Sequence, residues 1–215
     1  MPRRYHAYSE LPASLPLFPL TGALLLPRGH LPLNIFEPRY LAMVDHALGC
    51  ERLIGMIQPV ENEETVLKPR LSQVGCAGRI TAFRESDDNR YLITLEGVCR
   101  FSLKSEAPGT EAWRVGLCDF APFAGDLAEG EDGEVPRERL LAALKTYLAS
   151  RDMKADWKSV MTAPAEALVN ALAMMCPFGP AEKQALLEAQ NFQDRAITLM
   201  ALLEMSSEAG PTTLN

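Results

Sequence analysis

Paired cysteines, metal-ligand spacings, phosphate loops and long apolar runs are all missing from this 215-residue sequence. Each gap excludes a class of protein. The five cysteines, Cys50, Cys76, Cys99, Cys118 and Cys176, are odd in number, widely spaced and set among apolar neighbours. With no CxxC, they read as reduced, buried thiols rather than as a disulfide framework or a zinc site. Histidine is scarce: His6, His30 and His46. His46 and Cys50 stand four apart, but Gly49 is expected to end the helix between them, and two ligands are too few for structural zinc. There is no GxSxG elbow, and no cysteine has a nearby histidine placed to activate it. There is no GxxxxGK(S/T) loop either; Gly179 and Lys183 fall in GPAEK, without the glycine and hydroxyl spacing that phosphate binding needs. The expectation is a chain with no catalytic residues, no metal and no cofactor.

No run approaches the roughly 18–20 apolar residues of a membrane span. The opening MPRRYHAYSE lacks the apolar stretch of a signal peptide, so a cytoplasmic location is expected. Positive charge is in deficit, 21 Lys plus Arg against 28 Asp plus Glu, a net charge of −7. That balance opposes non-specific attraction to phosphate backbones and anionic membranes. Arg79, Arg84, Arg90 and Arg100 cluster around one hairpin, yet Glu85, Asp87, Asp88 and Glu96 are interleaved and no paired aromatic platform accompanies them. Nucleic acid and membrane are not the expected partners.

What is present is the pattern of an ordinary globule, first strand-like and then helical. From Leu15 to Tyr40 the chain is apolar and punctuated by Pro16, Pro19, Pro27, Pro32 and Pro38. Proline removes a ladder donor, so such a tract suits edge strands, bulges and strand ends. Strands are expected at Leu31–Phe36, at Arg52–Ile57 and in a hairpin whose second arm alternates Tyr91, Ile93 and Leu95 with Leu92, Thr94 and Glu96. Asp88 and Asn89 occupy the expected turn, since Asn tolerates positive φ. Trp113, Val115 and Leu117 mark one more strand. One helix interrupts them: Pro38 suits a first turn, and Tyr40, Leu41, Val44, Ala47 and Leu48 share a face.

Glu61–Glu64 reads as an acidic loop. Gly125–Glu134 is glycine-rich and acidic, a connector rather than core. Beyond it, helical stripes run through Leu140, Leu144 and Tyr147; through Leu168, Val169, Leu172, Met175 and Cys176; from Pro180 to Leu187; and through Ala196, Leu199, Met200 and Leu203. Asn191 reads as the last helix's N-cap. The fold class is α+β. The expected division is a β-rich part over residues 1–123, a linker over 124–134, a helical part over 135–206 and a flexible tail over 207–215, frayed from Ser206. Met174, Met175, Met200 and Met205 are assigned to core packing on their helical spacing.

Four tracts carry a resemblance. The opening run ends in Phe36, Glu37, Pro38, Arg39 and Tyr40. RLIGMIQP spans Arg52–Pro59. VGCAGRI at Val74–Ile80 and LEGVCRF at Leu95–Phe101 flank the hairpin, and PFGPAEKQALLEAQNFQDRAITLMALL spans Pro177–Leu203. In this order they resemble the Lon N-terminal domain, particularly its stand-alone bacterial branch. The resemblance implies a β-rich, PUA-like pseudo-barrel followed by a helical bundle. It also implies a role in recognising unfolded or exposed polypeptide segments or a partner protein, here without ATPase or peptidase domains. Glu37 and Arg39 are the candidate peptide-binding residues, bordering a groove between barrel and first helix; their plain alternative is a helix-start charge and a local pair. Phe36 and Tyr40 are expected in the core. The alternative function is a PUA-like RNA-binding module.

Overall fold

Leu15 and Leu17 alternate with Pro16 and Phe18 in the first strand, β1 (Ser14–Pro19), and the alternation sorts the apolar side chains into two cores. The computed structural model describes residues 4–60, 68–108, 111–128 and 135–208. The acidic loop expected at Glu61–Glu64, residues 129–134 of the connector and the tail from residue 209 lie outside the described residues.

Five further strands follow: β2 (His30–Ile35), β3 (Leu53–Pro59), β4 (Leu71–Glu85), β5 (Tyr91–Glu106) and β6 (Arg114–Asp119). The order is β2-β5-β4-β3-β1-β6, and β6 also pairs with β5, closing a ring. β1 and β3 run parallel; the other pairs are antiparallel. Prolines fit β1 because its two partners are staggered. β6 pairs with Ser14–Leu17 and β3 with Leu17–Pro19, so Pro16 has a strand neighbour on one side only.

Inside the ring lie Leu15, Leu17, Leu53, Ile57, Ala77, Cys99, Phe101 and Leu103, closed at one end by Phe120. Phe101 fixes the spacing of the walls. A Cβ on Gly75 would come within 2.5 Å of its Cζ, and one on Gly55 within 3.1 Å. Glycine there makes room for the ring, as close packing requires.

On the outside of the ring, Phe18, Ile54, Met56 and Cys76 join one continuous apolar core with the helices. These are α1 (Pro38–Gly49), α2 (Arg137–Ser150), α3 (Trp157–Thr162), α4 (Ala165–Met175), α5 (Pro180–Glu188) and α6 (Phe192–Glu208). α1 starts at Pro38 as its sequence dictates, and buries Tyr40, Met43, Val44 and Ala47. α3 was not legible in the apolar pattern; the Asp156 carboxylate makes it, accepting from the backbone N–H groups of Lys158 and Ser159. α6 begins where Asn191 Oδ1 accepts the Asp194 N–H at 2.9 Å, and it runs through Ser206 to Glu208 instead of fraying there. Among the described residues, no helix is long and apolar enough to cross a membrane.

Candidate functional site

β4 and β5 are longer than the ring needs, so their distal halves project from it. There β2 pairs with Tyr91–Glu96, making a three-stranded sheet β2-β5-β4. The two-residue period gives this sheet unlike faces. Ile93 and Leu95 are buried in the core shared with α1. The other face carries Pro32, Asn34, Ala82, Arg84, Leu92 and Thr94, which line a shallow trough of about 470 Å3. Asn34, Leu92 and Arg84 stand in cross-strand register across it. Leu92 and Phe83 are exposed, and Phe83 meets the Tyr91 ring edge-on at 4.9 Å. A hydrogen bond with Asp45 of α1, then burial, raises the Tyr91 pKa.

Phe36, expected in the core, is 62% exposed. Strand alternation is the reason: Ile35 ends β2 pointing inward, which turns the next residue out. Tyr40, also expected in the core, is buried there, its ring 4.4 Å from that of Phe18. The Arg90 guanidinium lies 5.7 Å from the Phe36 ring centroid.

Glu37 and Arg39 flank Pro38 at the start of α1 and are both exposed. Arg39 Nε donates to Glu37 Oε2 at 2.9 Å, and the guanidinium lies 4.4 Å from the Tyr40 ring centroid. Such an exposed pair contributes about 0–1 kcal/mol. Neither residue lines the trough or the two hollows described next.

Both of those hollows lie where the barrel meets the helices. One, of about 430 Å3, lies between Gly29–His30 and α4 and is lined by Ala167, Ala171, Met174 and Met175. Met175 is 81% exposed and Met205 is also exposed, so neither packs in the core as their spacing suggested. Each sits on the solvent flank of a stripe whose centre is already filled, by Ala173 on α4 and by Leu199 and Leu203 on α6.

The other hollow, of about 130 Å3, is polar and includes Arg28, Arg100, Asp126, Glu166, Asn191 and Arg195 in its walls. Arg100 grips Asp126 with two bonds, Nε to Oδ2 at 2.9 Å and Nη2 to Oδ1 at 2.8 Å, and Nη1 donates to the Leu187 carbonyl at 3.1 Å. The hairpin arginines therefore form no common basic face, because Arg100 is buried at this seam while Arg90 pairs with Asp88. Arg28, at φ 64°, pairs with Glu166 and donates to the Asp126 carbonyl at 2.7 Å. Asn170 Nδ2 donates to the Pro27 carbonyl at 3.1 Å. Sequence reasoning missed this seam because its partners lie 26 to 143 residues apart in the chain.

Burial pushes the Cys99 and Cys118 thiols up to about 12 and that of Cys176 to about 11. Cys50, expected to be buried, is exposed at the end of α1. Its Sγ lies 4.0 Å from His46 Nε2 although the helix stops at Gly49, and the His46 ring packs on Trp113 at 5.2 Å. Among the described residues, no three His, Cys, Asp or Glu side chains could hold a metal ion together.

The comparisons with known proteins agree on one family. A family model described as the ATP-dependent protease La (LON) substrate-binding domain matches residues 14–205. Lon protease 2 of Sorangium cellulosum is 34% identical over 96 residues, 43% of this chain and 12% of the relative. Lon protease 2 of Thermus thermophilus is 24% identical over 206 residues, 90% of this chain. The chain thus spans about 12–24% of the length of these curated relatives. The crystal structure of a Lon N-terminal domain protein from Xanthomonas campestris shares the fold with a TM-score of 0.62 at 24% identity, covering 87% of this chain and 97% of that one. The N-terminal domain of the Mycobacterium avium complex Lon protease does so with a TM-score of 0.57 at 17% identity, covering 88% and 97%. With the match extending over most of its length, the chain belongs to the ATP-dependent protease La (LON) substrate-binding domain family.

Proposed function

We propose that this chain binds exposed, extended polypeptide segments and performs no chemistry on them. The observation that carries the reading is the apolar display on the projecting sheet. Phe36 and Leu92 are exposed beside a shallow trough, at the end of the sheet where β2 has no second strand partner among the described residues. An extended segment added along that edge gains ladder hydrogen bonds from backbone alone, and its alternate side chains meet the trough. Covering the Phe36 ring adds about 1.5–3 kcal/mol of apolar burial. This mode suits a binder that reads unfolded chain rather than one sequence. Glu37 and Arg39, next to Phe36, border the site on this reading and set orientation more than affinity.

Membership of a family named for substrate binding supports polypeptide as the ligand. The test is anisotropy with a labelled unfolded casein fragment, paired with thermal midpoints. Phe36→Ser with Leu92→Ser should weaken binding at least about tenfold while the midpoint moves by only about 2–4 °C, as expected for surface changes. Unchanged binding in that variant removes the trough as the site. Wild-type protein that ignores the peptide but binds RNA at physiological salt replaces the reading with an RNA-binding one.

A further inference from the structure

We propose that Pro32 determines where a bound polypeptide pairs with β2, limiting the pairing to a short stretch of backbone at Asn34. The inference rests on the polypeptide reading and adds what is read in the segment: its backbone N–H and C=O groups, over a few residues. The Gly97 N–H donates to the Gly29 carbonyl at 2.9 Å. β2 and β5 keep that register from His30↔Glu96 to Ile35↔Tyr91. In an antiparallel pair, residues that exchange bonds alternate with residues that do not. The phase set at Gly29 therefore turns the backbone of Leu31, Leu33 and Ile35 toward β5. It turns that of His30, Pro32 and Asn34 toward the free edge.

This phase explains how β2 holds a proline, since the missing N–H takes no bond from the ladder to β5. The gap appears at the free edge instead. An incoming strand finds both groups at Asn34 but only a carbonyl at Pro32. In either strand direction, one of its own carbonyls has no donor there. Beyond Pro32 the edge meets α4. His30 shares a hollow with Ala171 and Met174, and a Cβ on the neighbouring Gly29 would stand 2.5 Å from Met174 Sδ. Asn34, exposed like Pro32, is left as the place where a segment exchanges both bonds. Its side chain is in register with Leu92, and that of Pro32 with Thr94, so the neighbouring residues of the segment lie along the trough. Such a site takes short extended stretches with free N–H groups. The missing bond keeps them from joining the sheet as a full further strand.

Substitutions that move single donors at the edge, and leave the ladder to β5 intact, test the proposal. Pro32→Ala restores the missing N–H and should tighten binding of the labelled unfolded casein fragment about two- to tenfold, the worth of one hydrogen bond. Asn34→Pro removes the paired N–H and should weaken binding by at least about as much. Asn34→Ala keeps that N–H and should bind as wild type does. Thermal midpoints within about 2–4 °C of wild type check that each variant is folded. Should Asn34→Pro fail to fold, Pro32→Ala decides alone. A Pro32→Ala protein that binds no tighter than wild type, or an Asn34→Ala protein as weak as Asn34→Pro, overturns the proposal. If the variant carrying Phe36→Ser and Leu92→Ser still loses binding in that case, the trough remains the site and only the backbone pairing falls. If that variant binds normally, the polypeptide reading of the trough falls as well.

Discussion

The barrel interior and the barrel–helix seam are held by different physics. Inside the ring the side chains are apolar, and fit is set by volume: Phe101 fills the space that Gly55 and Gly75 leave. At the seam and among the helices behind it lie the buried polar residues Gln58, Arg100, Asn170, Lys183 and Arg195. Several of them close helix ends or loops. Gln58 donates to the Pro180 carbonyl, Arg100 to Leu187, Arg195 to Leu186 and Lys183 to Met174. Apolar contact is tolerant of direction, whereas these bonds are not. The interior therefore supplies stability, and the seam fixes how the helices are set against the barrel.

The largest expected effect is in the interior. Phe101→Ala should cost about 3–5 kcal/mol in urea unfolding, because walls built of glycine backbone have no side chains to fall into the void. A loss below about 1 kcal/mol would mean that volume is not what holds the ring. Arg100→Met should cost about 3 kcal/mol by leaving Asp126 buried and unpaired. If direction rather than charge is the seam's contribution, adding Asp126→Leu should recover at least half of that loss while heteronuclear spectra show the helices shifted on the barrel.

A smaller effect probes the half-exposed margin. Hydrogen bonding from Arg114 holds the Glu106 carboxyl below its ordinary value of 4.5. The folded state then binds this proton more weakly than the unfolded chain does. Its stabilisation is complete above the ordinary carboxylate range and is lost as pH falls through the lowered folded pKa. The stability gap between wild type and Glu106→Gln should accordingly be widest at neutral pH and close in acid. A gap independent of pH would assign the bond no electrostatic part. Smallest of all, reversing both Glu37 and Arg39 should change stability by less than about 0.5 kcal/mol. Under the proposed function it alters capture of unfolded polypeptide; unchanged capture would leave the pair only its place at the helix start.

Local features were legible and distant ones were not. Pro38, Asn89 and Asn191 each set geometry within a few residues, and the structure uses them as a helix start, a turn at φ 58° and an N-cap. The alternation read from Tyr91 to Glu96 likewise survives in β5, although its pairing with β4 shifts register at Ala77/Gly78 and Ile80/Ala82. Phe36 shows where that logic needed one more step, since composition argues for burial while the phase of β2 turns the ring outward. Cys50 was misplaced for a similar reason, its apolar neighbours in sequence being across a helix end. Arg100 read as one of a hairpin's cations; only the closing of the ring and the docking of α5 bring Asp126 and Leu187 to it. No local signal carries that pairing.

The register of β1 has a consequence for synthesis. Leu17 pairs with Arg114, and Ser14 with Leu117, about 100 residues further along the chain. On the ribosome β1 emerges first and its β6 partner far later, a wait of about 5–20 s at 5–20 residues per second. Pairing with β3 comes sooner but covers only Leu17–Pro19. Throughout that interval Leu15 and Leu17 have no closed barrel to fill, so the apolar interior of the ring stays open until β6 has been made.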